Sequence, residues 1–160
     1  MKKILLTLML ALTMVTSASA QFEQGKKYVG ASLTGLNLSF SDLKDFAFGV
    51  DANAGYFIER DIMVVGTVGI DFSNGELNQF EVGAKGRYYI EQNGLFLAGG
   101  LKYRHAYKNI NDLQITPEVG YCYFLNRYIT VEPSVYFDLS LTDFSHKSEF
   151  GLKCGIGIYF

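Results

Sequence analysis

The chain has 160 residues, with 14 Lys and Arg against 16 Asp and Glu, and only two cysteines. That length suits one domain rather than two. The charges are scattered, with no basic stripe or polybasic tail, which argues against a nucleic-acid partner. Two prolines, 17 glycines, 13 Phe and 11 Tyr without a single Trp disfavour helices and suit strands.

The first element is a predicted leader, residues 1–20. Lys2 and Lys3 precede an apolar run from Ile4 to Val15, broken only by Thr7 and Thr13, and Ala18-Ser19-Ala20 supplies the small-x-small pattern of a cleavage site. Cleavage after Ala20 leaves a domain of residues 21–160 and 12 of the 14 basic residues against 16 acidic ones. No Cys lies near the cleavage site, which argues against a lipid-anchored N-terminus. Beyond the leader no apolar run reaches 18 residues, so no membrane-spanning helix is expected.

From Lys27 onward the chain alternates with period two, the signature of strands with one apolar and one polar face. Lys27–Phe40 is the least regular predicted strand. Val29, Ala31 and Leu33 share one parity and Leu36, Leu38 and Phe40 the other, which suggests a bulge near Thr34-Gly35 and leaves the faces unassigned. Seven cleaner strands follow: Phe46–Ile58, Ile62–Ser73, Leu77–Ile90, Leu95–Ala106, Leu113–Phe124, Tyr128–Ser140 and Lys147–Phe160. Glu59-Arg60-Asp61, Glu91-Gln92-Asn93-Gly94 and Leu125-Asn126-Arg127 read as tight polar turns. Ser41–Asp45, Asn74–Glu76, Tyr107–Asp112 and Leu141–His146 form the other set of connections, mostly longer.

One parity is continuously apolar. The other carries Asp51, Glu81, Lys85, Arg87, Lys102, Arg104, Glu118, Glu132, Asp138 and Lys153, together with Asp71 and Glu149. Two features predict that the charged face points inward. Aromatics of the apolar parity gather at strand ends: Tyr56, Tyr88, Tyr121, Tyr123 and Phe160 towards the short turns, and Phe48, Phe72, Phe80, Tyr103, Phe137 and Phe150 towards the longer connections. Such girdles suit a lipid-facing band. Glycines also interleave with the long charged side chains, as a narrow lumen requires. The predicted fold class is all-β: an eight-stranded antiparallel transmembrane β-barrel, an up-and-down meander in which the last strand closes on the first because lipid cannot satisfy an open edge. A secreted β-sandwich is the alternative.

The end of the chain, Gly155-Ile156-Gly157-Ile158-Tyr159-Phe160, resembles the terminal signature of outer-membrane barrels, a final aromatic preceded by apolar residues at alternating positions. The blocks Asp51-Ala52-Asn53-Ala54-Gly55-Tyr56-Phe57 and Pro117-Glu118-Val119-Gly120-Tyr121 resemble the small outer-membrane β-barrel ("porin family") domain of Bacteroidota, similar in architecture to OmpX and to the OmpA transmembrane domain. The resemblance covers residues 21–160. It implies a monomer in the outer membrane of a Gram-negative bacterium, among lipid and lipopolysaccharide, with both termini periplasmic and the long loops extracellular. It implies that Phe160, Ile158 and Ile156 are read by the barrel-assembly machinery, with periplasmic chaperones upstream. It is nearly silent on activity.

The inward charges are expected to pair in a low-dielectric lumen: Glu81 with Arg104 on the fourth and fifth predicted strands, and Lys102 with Glu118 on the fifth and sixth. A salt-bridged interior points to a structural or surface-interaction protein, and an ion or small-solute channel is the alternative. A remote alternative is a lipid A-modifying barrel enzyme, because His146 and Ser148 stand two apart on one face. No carboxylate of matching parity is available to orient His146, and His105 lacks a partner, so no catalysis is expected. No metal cluster or phosphate-binding glycine loop is visible, so no cofactor is expected. Cys122 and Cys154 fall on opposite faces of non-adjacent strands, so both thiols should be free.

Overall fold

A computed structural model describes residues 22–34, 47–73, 76–90, 93–106, 110–141 and 149–160. The predicted leader with Ala18 and Ala20, the parity change after Thr34, and His146 and Ser148 lie outside the described residues.

The alternating segments form strands. In order they are β1 (Lys27–Thr34), β2 (Ala47–Glu59), β3 (Ile62–Ser73), β4 (Glu76–Tyr89), β5 (Leu95–Ala106), β6 (Ile110–Tyr121), β7 (Tyr123–Phe124), β8 (Ile129–Ser140) and β9 (Glu149–Tyr159). β6 and the short β7 are two pieces of one stave interrupted at Cys122, and both pair with β8. The nine segments therefore make eight staves, each antiparallel to its neighbours. The sheet closes between β1 and β9, from Tyr28↔Tyr159 to Thr34↔Lys153. This is a closed up-and-down barrel. Among the described residues no helix is long and apolar enough to cross a membrane, which says nothing of strands.

Exposure settles the faces, including that of β1. Leu33 is 61% exposed and its neighbour Ser32 6%, and Val29 is 42% exposed beside Tyr28 at 3%. Val29, Ala31 and Leu33 thus join the outward apolar band, which includes Val64, Val68, Val82, Leu101, Val119 and Ile156. The aromatics Tyr56, Tyr88, Tyr123, Phe160, Phe80, Tyr103, Phe137 and Phe150 are exposed on that band.

Two local features follow from single residues. Asp61 adopts φ 65° in the turn between β2 and β3, a conformation that a short polar side chain tolerates. Pro117 points outward, and the β6–β8 pairing skips from Ile115↔Leu139 to Glu118↔Tyr136 around it. Proline has no N–H to give to a ladder.

The sixth stave begins earlier than expected. Tyr107–Asp112 reads as a connection in the sequence, but Ile110–Asp112 already pair with β5, with Arg104↔Asp112. Its alternation is masked by Asn111-Asp112, which reads equally well as a turn. Asp112 consequently lies buried inside the barrel.

Candidate functional site

The lumen is the only continuous interior that the described strands enclose, and its contents fall into two layers.

The layer at the short-turn end is aromatic. Phe57 comes from the end of β2, Tyr89 and Phe96 from the strands flanking the β4–β5 turn, Phe124 from β7, Tyr28 from β1 and Tyr159 from β9. Phe22, ahead of β1, fills the middle: its ring stacks on Tyr89 at 3.9 Å between centroids and 18° between planes. Phe57, Phe124 and Tyr159 surround it at 6.0, 5.6 and 5.9 Å. Met63, Val65 and Cys122 complete this cluster. The phenol groups point towards the polar layer. Tyr89 and Tyr159 hydroxyls lie 3.0 Å apart, Tyr159 donates to Glu132 Oε1 at 2.8 Å, and Tyr28 donates to Glu132 Oε2 at 3.0 Å.

Arg87 joins the layers. Its Nη1 donates to Glu132 Oε2 at 2.8 Å and to the Tyr89 hydroxyl at 3.2 Å. Its guanidinium carbon sits 4.1 Å from the centre of the Phe96 ring and 5.3 Å from that of Tyr28. A planar cation can use its edge for a carboxylate and its faces for rings at once, which an ammonium cannot.

The upper layer is a charge network. Lys85 pairs with Glu118. Lys153 lies 2.8 Å from Asp51. Arg104 Nε lies 2.7 Å from Glu81, and Lys102 bridges Glu81 at 3.2 Å to Asp138. Hydroxyls use the remaining carboxylate lone pairs: Thr116 donates to Asp138 at 2.6 Å, Ser134 to Glu118 at 2.8 Å and Thr130 to Glu132 at 2.8 Å. Asp112 accepts from Gln114 at 2.9 Å and from Ser140 at 2.7 Å. Of the twelve charged residues assigned to the inward parity, ten are each in at least one ion pair here, Asp71 lines the cavity they surround, and the Glu149 side chain lies outside the described residues. Between them remains a polar cavity of about 120 Å³, lined by Thr67, Asp71, Gln79, Thr116 and Tyr136 among the charges. That leaves room for a few water molecules.

One expected pair is different. Lys102 does not meet Glu118. In the β5–β6 register Lys102 faces Gln114 and Glu118 faces Ala98, four residues along the strand. At about 3.4 Å per residue this separation is too long for the pair. Glu118 instead takes Lys85 from two staves away. Lys85 is opposite Gly100, and a Cβ at Gly100 would collide with the Lys85 backbone and Cβ. The glycine therefore leaves space for the lysine side chain to cross β5. Gly157 plays the same part for Tyr28 and Glu132, whose atoms occupy the space a side chain would need.

The aromatic layer is what the sequence reading missed. Its signal is present: Phe57, Tyr89, Phe96, Phe124 and Tyr159 belong to the inward parity and lie beside short turns or the chain end. The inward face changes from charged to aromatic along each stave, so parity alone does not reveal it.

Both thiols are free, Cys122 buried inside and Cys154 exposed outside. His105 is exposed, with Nδ1 2.7 Å from Asn111 Oδ1. Among the described residues no group of His, Cys, Asp and Glu is arranged to hold a metal ion.

No family model and no curated protein matches this sequence. Solved structures do match. The N-terminal β-barrel domain of Pseudomonas aeruginosa OprF superposes with a TM-score of 0.68 at 16% identity, over 86% of this chain and 98% of that one. A de novo designed transmembrane β-barrel gives 0.56 at 16% identity, over 88% and 99%. The outer membrane protein OprG of P. aeruginosa gives 0.53 at 10% identity, over 88% and 98%. At these identities the likeness is one of fold.

Proposed function

We propose that this chain is an integral outer-membrane β-barrel of a Gram-negative bacterium, with a structural or surface-interaction role, a closed lumen and no catalytic activity. The observation that carries the reading is the reversal of polarity. Charged residues are paired inside while Val, Leu, Ile and aromatic side chains cover the outside, an arrangement that water penalises and a bilayer rewards. The cleaved leader ending at Ala18-Ser19-Ala20 delivers the chain to the periplasm. Phe160, Ile158 and Ile156 present the terminal strand to the assembly machinery. Phe22, the first described residue, and Phe160 lie on the short-turn side, which in this reading faces the periplasm. The likeness to Bacteroidota barrels rests on the two sequence blocks, Asp51 to Phe57 and Pro117 to Tyr121.

The test has two parts. Membrane fractions should contain a heat-modifiable band, the folded barrel running ahead of the boiled chain. Purified barrel in planar bilayers should give little steady current. A soluble periplasmic protein without heat modifiability overturns the first part.

The cavity of about 120 Å³ favours a second reading, a small-ion channel. A large stable wild-type conductance, unchanged by Glu118→Ala, would select it.

A further inference from the structure

Residues 22–26 belong to no strand, yet they carry the ring at the centre of the aromatic layer. Phe22 is fully buried. The segment's backbone is tied to the barrel by Asp61 N–H donating to Phe22 O at 3.0 Å, Gly25 N–H to Phe57 O at 2.9 Å and Phe57 N–H to Lys26 O at 2.9 Å, while Lys26 N–H to Glu23 O at 3.3 Å closes a turn within it. The Gln24 side chain adds one bond, Nε2 to Ile58 O at 2.9 Å. β1 starts only at Lys27, and its pairing with β9 starts at Tyr28↔Tyr159. Departure of the segment therefore costs the two backbone bonds with Phe57 that lead into the β1–β2 ladder, and leaves every other stave pairing intact. If it leaves, a gap the size of a phenyl ring opens between Tyr89, Phe57, Phe124 and Tyr159.

We propose that residues 22–26 are a removable cork, and that Phe22 completes the seal that the surrounding rings leave open at the short-turn mouth of the lumen. The seal and the charge network are then separate barriers: one steric and detachable, the other electrostatic and built into the wall. Segments held by few bonds at the edge of a fold open locally at far lower cost than the fold itself. The proposal goes beyond the closed-barrel reading, since it concerns which part opens and not whether current flows.

The barrel contains its own reporter. The Cys122 thiol is buried within the aromatic cluster, 3.3 Å from the Tyr159 hydroxyl, and the Tyr159 ring packs against Phe22. In a Cys154→Ala background, the full-length folded barrel in detergent is treated with a cationic methanethiosulfonate reagent. With Phe22 in place, labelling of Cys122 should stay at background. Phe22→Ala should raise the rate at least tenfold, and Phe22→Tyr, which keeps the ring, should not. A second reporter, Ser140→Cys with Cys122→Ala and Cys154→Ala, lies at the other end of β8. Its labelling should be the same with Phe22 and with Phe22→Ala.

Three results overturn the proposal: a folded Phe22→Ala barrel whose Cys122 stays unreactive, acceleration at Ser140→Cys as large as at Cys122, or loss of the heat-modifiable band. The last would make Phe22 a part of the core and not a cork. Failure of the membrane reading would appear in fractionation instead, so the two are distinguishable.

Discussion

Arg87 Nη1 and Glu132 Oε2 lie 2.8 Å apart with both side chains 4% exposed, at the plane where the aromatic layer meets the charges. The pair is served from all sides: Glu132 also accepts from Tyr28, Tyr159 and Thr130. Breaking it from one side strands a charge in a place water cannot easily reach. Arg87→Ala and Glu132→Ala should each lower unfolding free energy by about 3–5 kcal/mol, whereas the double change to Arg87→Met and Glu132→Leu should cost far less. Urea titration of the folded barrel in vesicles measures this. Equal losses for the single and double variants would mean that packing volume, and not stranded charge, dominates.

Lys85 and Glu118 should be energetically coupled, and Lys102 and Glu118 should not. A double-mutant cycle with alanine at each position should give a coupling of about 1 kcal/mol or more for the first pair and about zero for the second. A reversed ranking would contradict the β5–β6 register on which the assignment rests.

Glu118→Ala should also raise leakage, because it removes one wall of the polar cavity and frees the Lys85 ammonium. Single-channel recording of the variant beside wild type reads this. Unchanged current at lowered stability would separate the network's structural role from any barrier role.

Phe160 is half exposed at the end of β9, and its backbone pairs with Lys27 in both directions, N–H to O at 3.0 Å and O from N–H at 2.7 Å. The ring therefore contributes little to the interior, and Phe160→Ala should barely change the stability of folded barrel. Pulse-chase labelling in cells should nonetheless show slower appearance of the folded band. Equal assembly rates would remove the terminal ring from any recognition role.

Oxidised and reduced protein should have the same monomer mass, and a lipid-soluble maleimide should label Cys154 well before Cys122. Loss of two hydrogens on oxidation would contradict the assigned faces.

Much of the fold was legible because strand parity is a binary code. Asp51, Glu81, Lys85 and Lys153 lie inward and Val64, Val82 and Ile156 outward, as one apolar and one charged parity dictate. β1 was not legible from Leu36, Leu38 and Phe40, but Ser32 and Leu33 resolve it once neighbours are present. Pairing partners were harder. Glu81 and Arg104 are directly opposite, so adjacency was enough. The partner of Glu118 depended on which intervening residue was glycine and on the register of two ladders, which the residue types on one stave do not contain. Asp112 was lost to its surroundings, since Asn111-Asp112 reads as a turn until β5 supplies a strand to pair with. Phe22 was illegible for another reason: it lies outside every period, and only the closed mouth gives it a place.

The seam between β1 and β9 has a consequence for timing. Its register joins Tyr28 to Tyr159 and Val29 to Ile158, the largest separations along the chain of any stave pairing. Hairpins such as β2–β3 and β4–β5 can form as soon as their own residues are present, but closure cannot begin until the last strand is available. Until then, the row of Val, Leu and Ile meant for the outside has no cover, and the carboxylates and ammonium groups meant for each other have only water. The molecule's most exposed moment is thus set by chain order. A longer delay before closure lengthens that interval for the whole chain, not for one strand of it.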